Sequence, residues 1–233
     1  MKNGPLKTFL KKQIWLVNLV HGARDAKYAR LKKRGQKLLG LYGKEMAIEI
    51  EKALQDSQLL YFYAYGSLLG LIRDGHFIPH DADLDMGLLN TSPDLFLELD
   101  LCLTSHGFVK VHEFSLDGKI CEVAYSWKKL KVDFFLYEYD GEEKMDSFVF
   151  FKKPDVEYNN PMEFSVAQLK TAAVHDIRIL ELDGIAYRVP ANAEAYLADA
   201  YGDSWRIPNP NWSSEESPAW HELEGKIGIR IVK

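Results

Sequence analysis

Asp83 and Asp85 stand one residue apart in a segment, Asp83 to Leu89, that continues as an apolar run. The strand period of two turns both carboxylates to the same side. Carboxylates held together repel unless a positive charge lies between them, and a divalent cation with oxygen ligands is the usual solution. Asp81 has the same parity and is a candidate further ligand. A third acid, Asp133, stands alone among Val132, Phe134, Phe135 and Leu136, where an ionised carboxylate is costly unless paired or bound to metal. If its strand lies beside that of Asp83 and Asp85, all three meet at one metal site. Upstream, Gly66-Ser67 ends an aromatic run and opens a short helix. That junction offers a phosphate backbone N–H groups, a hydroxyl and the positive end of a helix dipole. Metal plus phosphate cradle implies phosphoryl chemistry.

The elements that must position these groups follow from the apolar pattern. Lys44 to Gln58 reads as a helix, Leu59 to Tyr65 as a strand, Ser67 to Arg73 as a short helix and Asp83 to Leu89 as a second strand. Ser92 to Ser105 reads as a helix with Pro93 in its first turn, where no N–H is needed. Phe108–Phe114, Ile120–Trp127 and Leu130–Tyr139 form an antiparallel meander turning at Asp117-Gly118 and Lys128-Lys129. Phe148 to Phe151 adds a short strand, Val166 to Ala173 reads as a helix, and Asp183-Gly184 joins a hairpin of Ile177–Leu182 and Ile185–Val189. Asn192 caps a helix reaching Tyr201, and Pro208 to Pro218 reads as irregular. The fold class is α+β, a mixed sheet flanked by helices.

Composition sets the outer limits. The chain has 233 residues, 47% apolar and 27% charged, enough for one substantial core. Its longest uncharged stretch, Leu59 to Ile72, is too short and too polar to span a bilayer. Two cysteines, Cys102 and Cys121, exclude a disulfide scaffold and a multi-cysteine zinc site. Asn18 interrupts the apolar stretch Ile14 to Val20 and no small-residue cleavage site follows, which argues for a cytoplasmic protein over a secreted one. The net charge of −5 hides an asymmetry: residues 1–44 hold 12 Lys or Arg against the single acid Asp25. Leu6, Phe9, Leu10, Ile14, Leu16, Val17 and Val20 share one face of this basic helical arm. The arm reads either as a peripheral contact with an anionic membrane surface or as a helix packed on the body. The body is acidic and repels polyanions, so no nucleic-acid partner is expected. The resulting division is an arm, 1–44, a catalytic body, 45–210, and a tail, 211–233.

Residues 66 to 87 read Gly-Ser-Leu-Leu-Gly-x-Ile-Arg-x-x-x-Phe-Ile-Pro-x-Asp-x-Asp-x-Asp-x-Gly. This resembles the signature of the LicD family, which includes the fukutin-related transferases and has the nucleotidyltransferase fold. Val132-Asp133-Phe134-Phe135 resembles its second acidic strand. Arg188-Val-Pro190, Tyr196-Leu197 and Tyr201-Gly-Asp203 resemble its C-terminal closure. His80 stands where the family often has Trp and Ala82 where it often has Asp, while Asp81, Asp83 and Asp85 remain.

The resemblance implies a phosphotransferase that moves a phosphorylated small group, phosphocholine or a polyol phosphate, from a CDP-linked donor to a glycan or lipid-linked glycan hydroxyl, releasing CMP. Such chemistry serves lipopolysaccharide, capsule or teichoic acid modification at the inner face of the plasma membrane. Asp83, Asp85 and Asp133 are its expected catalytic residues, with Asp81 joining them as ligands of Mg²⁺ or Mn²⁺. Asp133 either completes the metal site or accepts the acceptor's proton. Gly66, Ser67, Arg73 and His80 are the expected donor contacts, and His76 is a weaker candidate. His106, His112, His175 and His221 have no constellation around them. Tyr61, Tyr63, Tyr125, Trp127, Trp205 and Trp212 would suit a choline cage only by converging. Two other classes stay open: transfer of NMP to a small molecule or protein, with release of pyrophosphate, and a non-catalytic glycan- or nucleotide-binding module.

Overall fold

Alternation along two strands divides the molecule into an apolar side and a chemical side. In β2 (Asp83–Leu89), Leu84, Met86 and Leu88 are fully buried, while Asp83 and Asp85 point the other way. In β5 (Leu130–Asp140), Val132, Phe134 and Leu136 face the core, and Lys131 and Asp133 share the opposite parity. The two strands run parallel, with Asp83 beside Lys131 and Asp85 beside Asp133. The structure is a computed structural model describing residues 5–154, 156–209 and 211–232, with side-chain surroundings from residue 29 onward.

The other strands are β1 (Tyr61–Tyr63), β3 (Val109–Leu116), β4 (Lys119–Trp127), β6 (Lys144–Phe151), β7 (Glu163–Ala172), the hairpin β8 (Ile177–Leu182) and β9 (Ile185–Pro190), and β10 (Trp220–Val232). Eight of them form one sheet in the order β1-β2-β5-β4-β3-β10-β7-β6. β6 also pairs with the far end of β5 through Glu138 to Asp140, so six strands close into a ring. Closure leaves few free strand edges. The meander of β3, β4 and β5 is antiparallel, and Asp117, Lys128 and Lys129 take the positive φ that tight turns require.

Four helices flank the sheet: α1 (Pro5–Leu54), α2 (Tyr65–Arg73), α3 (Leu95–Ser105) and α4 (Ala193–Tyr201). Met46, Ala47, Ile50 and Leu54 of α1 are buried against β2, β5, β9 and α3. Arg188 of β9 ties α1 to β1 through Glu51 and the Tyr61 hydroxyl. The mixed α+β architecture agrees with the sequence reading. No described helix is long and apolar enough to cross a membrane.

Several local expectations are corrected. Val166 to Ala173 is strand rather than helix: Ala, Gln, Leu and Lys favour a helix, but pairing with β10 on one side and β6 on the other overrides that preference. Residues 220–232, read as tail, form β10 between β3 and β7. α1 continues through residue 44 without a break. Asn192 precedes α4, but its side chain makes no cap and donates instead to the Ala173 carbonyl at 2.8 Å. The apolar face drawn over residues 6–20 lies outside the described side chains.

Candidate active site

The β1–α2 junction is built to crowd the acids. Tyr65 opens α2 at φ 42, a conformation costly for a non-glycine residue. It is held by the Ser147 hydroxyl at 2.5 Å and by an edge-to-face contact with Phe135. A Cβ on Gly66 would lie 2.6 Å from Asp81 Oδ2, so any larger residue would push the Asp81 carboxylate from its present place at this turn. Ser67 is buried, and its Oγ accepts the Asp85 N–H at 2.9 Å. The serine therefore fixes the strand that carries the acids. The Tyr196 hydroxyl accepts the Tyr65 N–H at 3.5 Å, and the N-cap residue Ala64 offers no side-chain cap, which leaves the Gly66 and Ser67 N–H groups for an outside acceptor.

Asp81, Asp83, Asp85, Tyr65 and Gly66 line one cavity of about 330 Å³. Lys131 sits among the acids, its ammonium 3.1 Å from Asp83 and 2.6 Å from Asp133. Sequence reasoning missed this lysine, although it lies two residues from Asp133 and shares its parity. One positive charge does not balance the cluster. Burial, reinforced by the charges of Asp83, Asp133 and Asp81, raises the Asp85 carboxyl well above its ordinary value. Burial lifts Asp133 to about 7 against the opposing pull of Lys131, and lifts Asp81 to about 6. Asp133 Oδ1 is buried without a hydrogen-bond partner among the described residues. An orphaned carboxylate oxygen beside mutually repelling acids fits a divalent cation.

The same face continues across β4 and β3. Asp133 is in register with Ala124, and Ala124 with His112. His112, Glu122 and Asp133, all buried, bring one ligand atom each within 4.8 Å of one another, a spacing that can hold a metal ion. This corrects the expectation for His112. Its partners lie on other strands, and nothing in the local sequence marks them. Burial lowers His112 to about 4 and raises Glu122 to about 7.

The remaining predicted residues divide. Arg73 lines a second cavity of about 570 Å³ with His80, Asp81 and Gly66, but its guanidinium already grips both Asp74 oxygens at 2.9 and 2.7 Å. His80 is exposed there, and Gln36 of α1 holds its carbonyl at 2.9 Å. The His76 ring binds only its neighbour's carbonyl among the described residues. The aromatic candidates do not converge. Tyr61, Tyr63 and Tyr125 are core residues, whereas Trp205 and Trp212 line the second cavity with Tyr201.

Raised carboxyl groups make a pH prediction. A carboxyl whose folded pKa lies above its unfolded value binds more protons when folded, so its contribution is fullest below the unfolded pKa and is lost as pH rises through the folded one. In metal-free protein, the melting temperature is expected to fall from about pH 5 to about pH 8 as Asp81, Asp133 and Glu122 ionise. Stabilisation by added Mg²⁺ should grow over the same window, and flat profiles in thermal melts would contradict both.

A parallel strand pair carrying three carboxylates, beside a strand-to-helix turn and within a mixed sheet, is the palm arrangement of a nucleotidyltransferase-type fold. The chain belongs to the family described as LicD/FKTN/FKRP, nucleotidyltransferase domain, which its residues 58–192 match. Among curated proteins it is similar to the ribitol-5-phosphate transferase FKTN of Mus musculus, 23% identical over 179 residues. It is likewise similar to that of Homo sapiens, 22% identical over 177 residues. Both alignments cover 75% of this chain, which spans only 35% of each relative's length. The segment Tyr196 to Asp203 lies beyond the family match.

Proposed function

We propose that the protein is a metal-dependent phosphotransferase. It would move a phosphorylated small group, a polyol phosphate or phosphocholine, from a CDP-linked donor to a hydroxyl of a glycan or its lipid-linked precursor, releasing CMP. The observation that carries this reading is the register of Asp85 beside Asp133, with Asp83 two residues before Asp85 on the same face. The catalytic body, 45–210, performs the reaction, and the basic arm, 1–44, would make peripheral contact with a membrane surface ahead of the part that packs on the body through Gln36 and Leu39.

Asp83, Asp85, Asp133 and Asp81 would hold Mg²⁺ or Mn²⁺. When bound, the ion offsets charge on the phosphates and on the leaving nucleotide. The residues do the rest. Gly66 and Ser67, in the first turn of α2, present backbone N–H groups to a donor phosphate. Ser67 keeps Asp85 in place through its bond to the β2 backbone. Lys131 holds Asp83 and Asp133 together and restrains their repulsion. Arg73 and His80 border the cavity in which the nucleotide sits. Asp133 either completes the metal site or, raised toward neutrality by burial, accepts the proton of the acceptor hydroxyl.

The test is incubation with a panel of CDP-linked donors and Mg²⁺ while CMP is followed. CMP release that requires both a divalent ion and an acceptor is expected. No CMP from any donor contradicts the reading, and pyrophosphate release would mark nucleotidyl transfer instead.

A further inference from the structure

Next to the acid cluster lies a larger cavity, about 1070 Å³, whose walls carry the opposite charge. Five cationic side chains line it: Lys32 and Arg34 from α1, Lys129 and Lys131 from the β4–β5 turn and the start of β5, and Arg230 from β10. Lys131 is engaged by Asp83 and Asp133. None of the other four forms an ion pair among the described residues. Asp83 and Glu122 are the acids on the wall, so the lining is cationic in balance.

Exposed lysines and arginines on a helix are ordinarily just solvated, and Lys32 and Arg34 alone would signify nothing. Arg230 on the opposite wall is different. Its Nη2 reaches His112 Nδ1 at 3.3 Å, while its Nε is buried and has no acceptor among the described residues. A buried guanidinium N–H without an acceptor is costly, and an oxygen anion supplied from outside the chain would satisfy it. The cavity shares Asp83 and Phe150 with the smaller cavity that contains Gly66, so the two meet at one carboxylate.

We propose that this cavity seats the acceptor by an anionic group, a phosphate or carboxylate carried on the glycan, with the reacting hydroxyl directed toward Asp83, where it meets the smaller cavity. The proposal rests on the transferase reading above and names its acceptor class: an acidic glycan, not a neutral one. Lys32, Arg34 and Arg230 all lie outside the family match of 58–192.

Inorganic phosphate is the probe, titrated into the full chain without Mg²⁺ while the ring resonances of His112 on the cavity wall are followed by NMR. CDP with Mg²⁺ is titrated separately. Phosphate is expected to give a saturable His112 shift, with affinity about tenfold weaker in Arg230→Gln and in Arg34→Gln. CDP affinity should stay within about twofold of wild type in both. Unchanged phosphate affinity in the variants overturns the proposal, as does a parallel loss of CDP affinity, which would give the cavity to the donor's phosphates. If Arg230→Gln does not fold, Arg230→Lys and the exposed α1 variant Arg34→Gln carry the same comparison. Absence of CDP binding in wild type would overturn the transferase reading and the acceptor assignment with it, while a His112 shift with phosphate would still mark an anion site.

Discussion

Asp85→Asn is expected to lose transfer activity by about three orders of magnitude while making the metal-free protein more stable. The loss follows from the carboxylate's place in the cluster. It lies in register with Asp133, two residues from Asp83, against the turn at Gly66. Asparagine keeps the shape but supplies neither the charge that holds a divalent cation nor the field that cation provides; a thousandfold loss corresponds to about 4 kcal/mol of transition-state stabilisation. The gain follows from the same crowding. Burial and three neighbouring acids push the Asp85 carboxyl toward its neutral form, so the wild-type protein bears a strain near neutral pH that a neutral amide removes. The opposite signs are the informative part. A residue with only a structural role would lose stability and activity together. Thermal melts in chelator, run beside turnover assays with Mg²⁺, measure both signs on one sample. A melting temperature at or below wild type would show that Asp85 is already satisfied within the chain.

How far the sequence reveals this arrangement depends on how local the signal is. Asp83, Asp85 and Asp133 are legible because each lies in a strand whose apolar neighbours fix its parity, and their convergence needs only that β2 and β5 be adjacent. Gly66 is legible because strand, glycine and helix follow one another in the chain. Lys131 is equally local but was hidden by the assumption that the charge between two acids must be a metal. His112, Glu122 and Arg230 belong to β3, β4 and β10, and only the register of the ring brings them to the site. β7 was misread because propensity is weaker than pairing on both edges. β10 was missed although Ile227, Ile229 and Ile231 alternate, because Glu and Gly residues break the run before them. Lys32 reaches the site because α1 crosses the segment before β2 so closely that a Cβ on Gly35 would lie 2.5 Å from the Ala82 carbonyl oxygen. A contact across some fifty residues leaves no trace in composition or period.

Gly87→Ala is expected to be strongly destabilising, at about 3 kcal/mol, without touching any group that does chemistry. Gly87 follows the acids on β2, between Phe62 of β1 and Phe135 of β5. A Cβ there would lie 2.4 Å from the end of the Phe62 ring, with two further ring carbons within 2.8 Å. Phe62 has nowhere to withdraw: it is fully buried, tilted against Tyr137 at 5.3 Å and edge-on to Tyr196 at 6.2 Å. Those two tyrosines are locked to each other by a 2.6 Å hydroxyl contact. The strain must therefore move either the aromatic cluster or β2 itself, and moving β2 shifts Asp83 and Asp85 relative to β5. For a chain of this size the cost corresponds to a fall of roughly 8 °C in melting temperature, read by calorimetry. Phe62→Leu in the Gly87→Ala background should restore part of the loss, because it removes the atoms that clash while keeping an apolar side chain at the site. A double variant no more stable than Gly87→Ala alone would place the cost in the β2 backbone rather than in the ring. Gly87→Ala at wild-type stability would mean that the strand has slack the packing around Phe62 does not show.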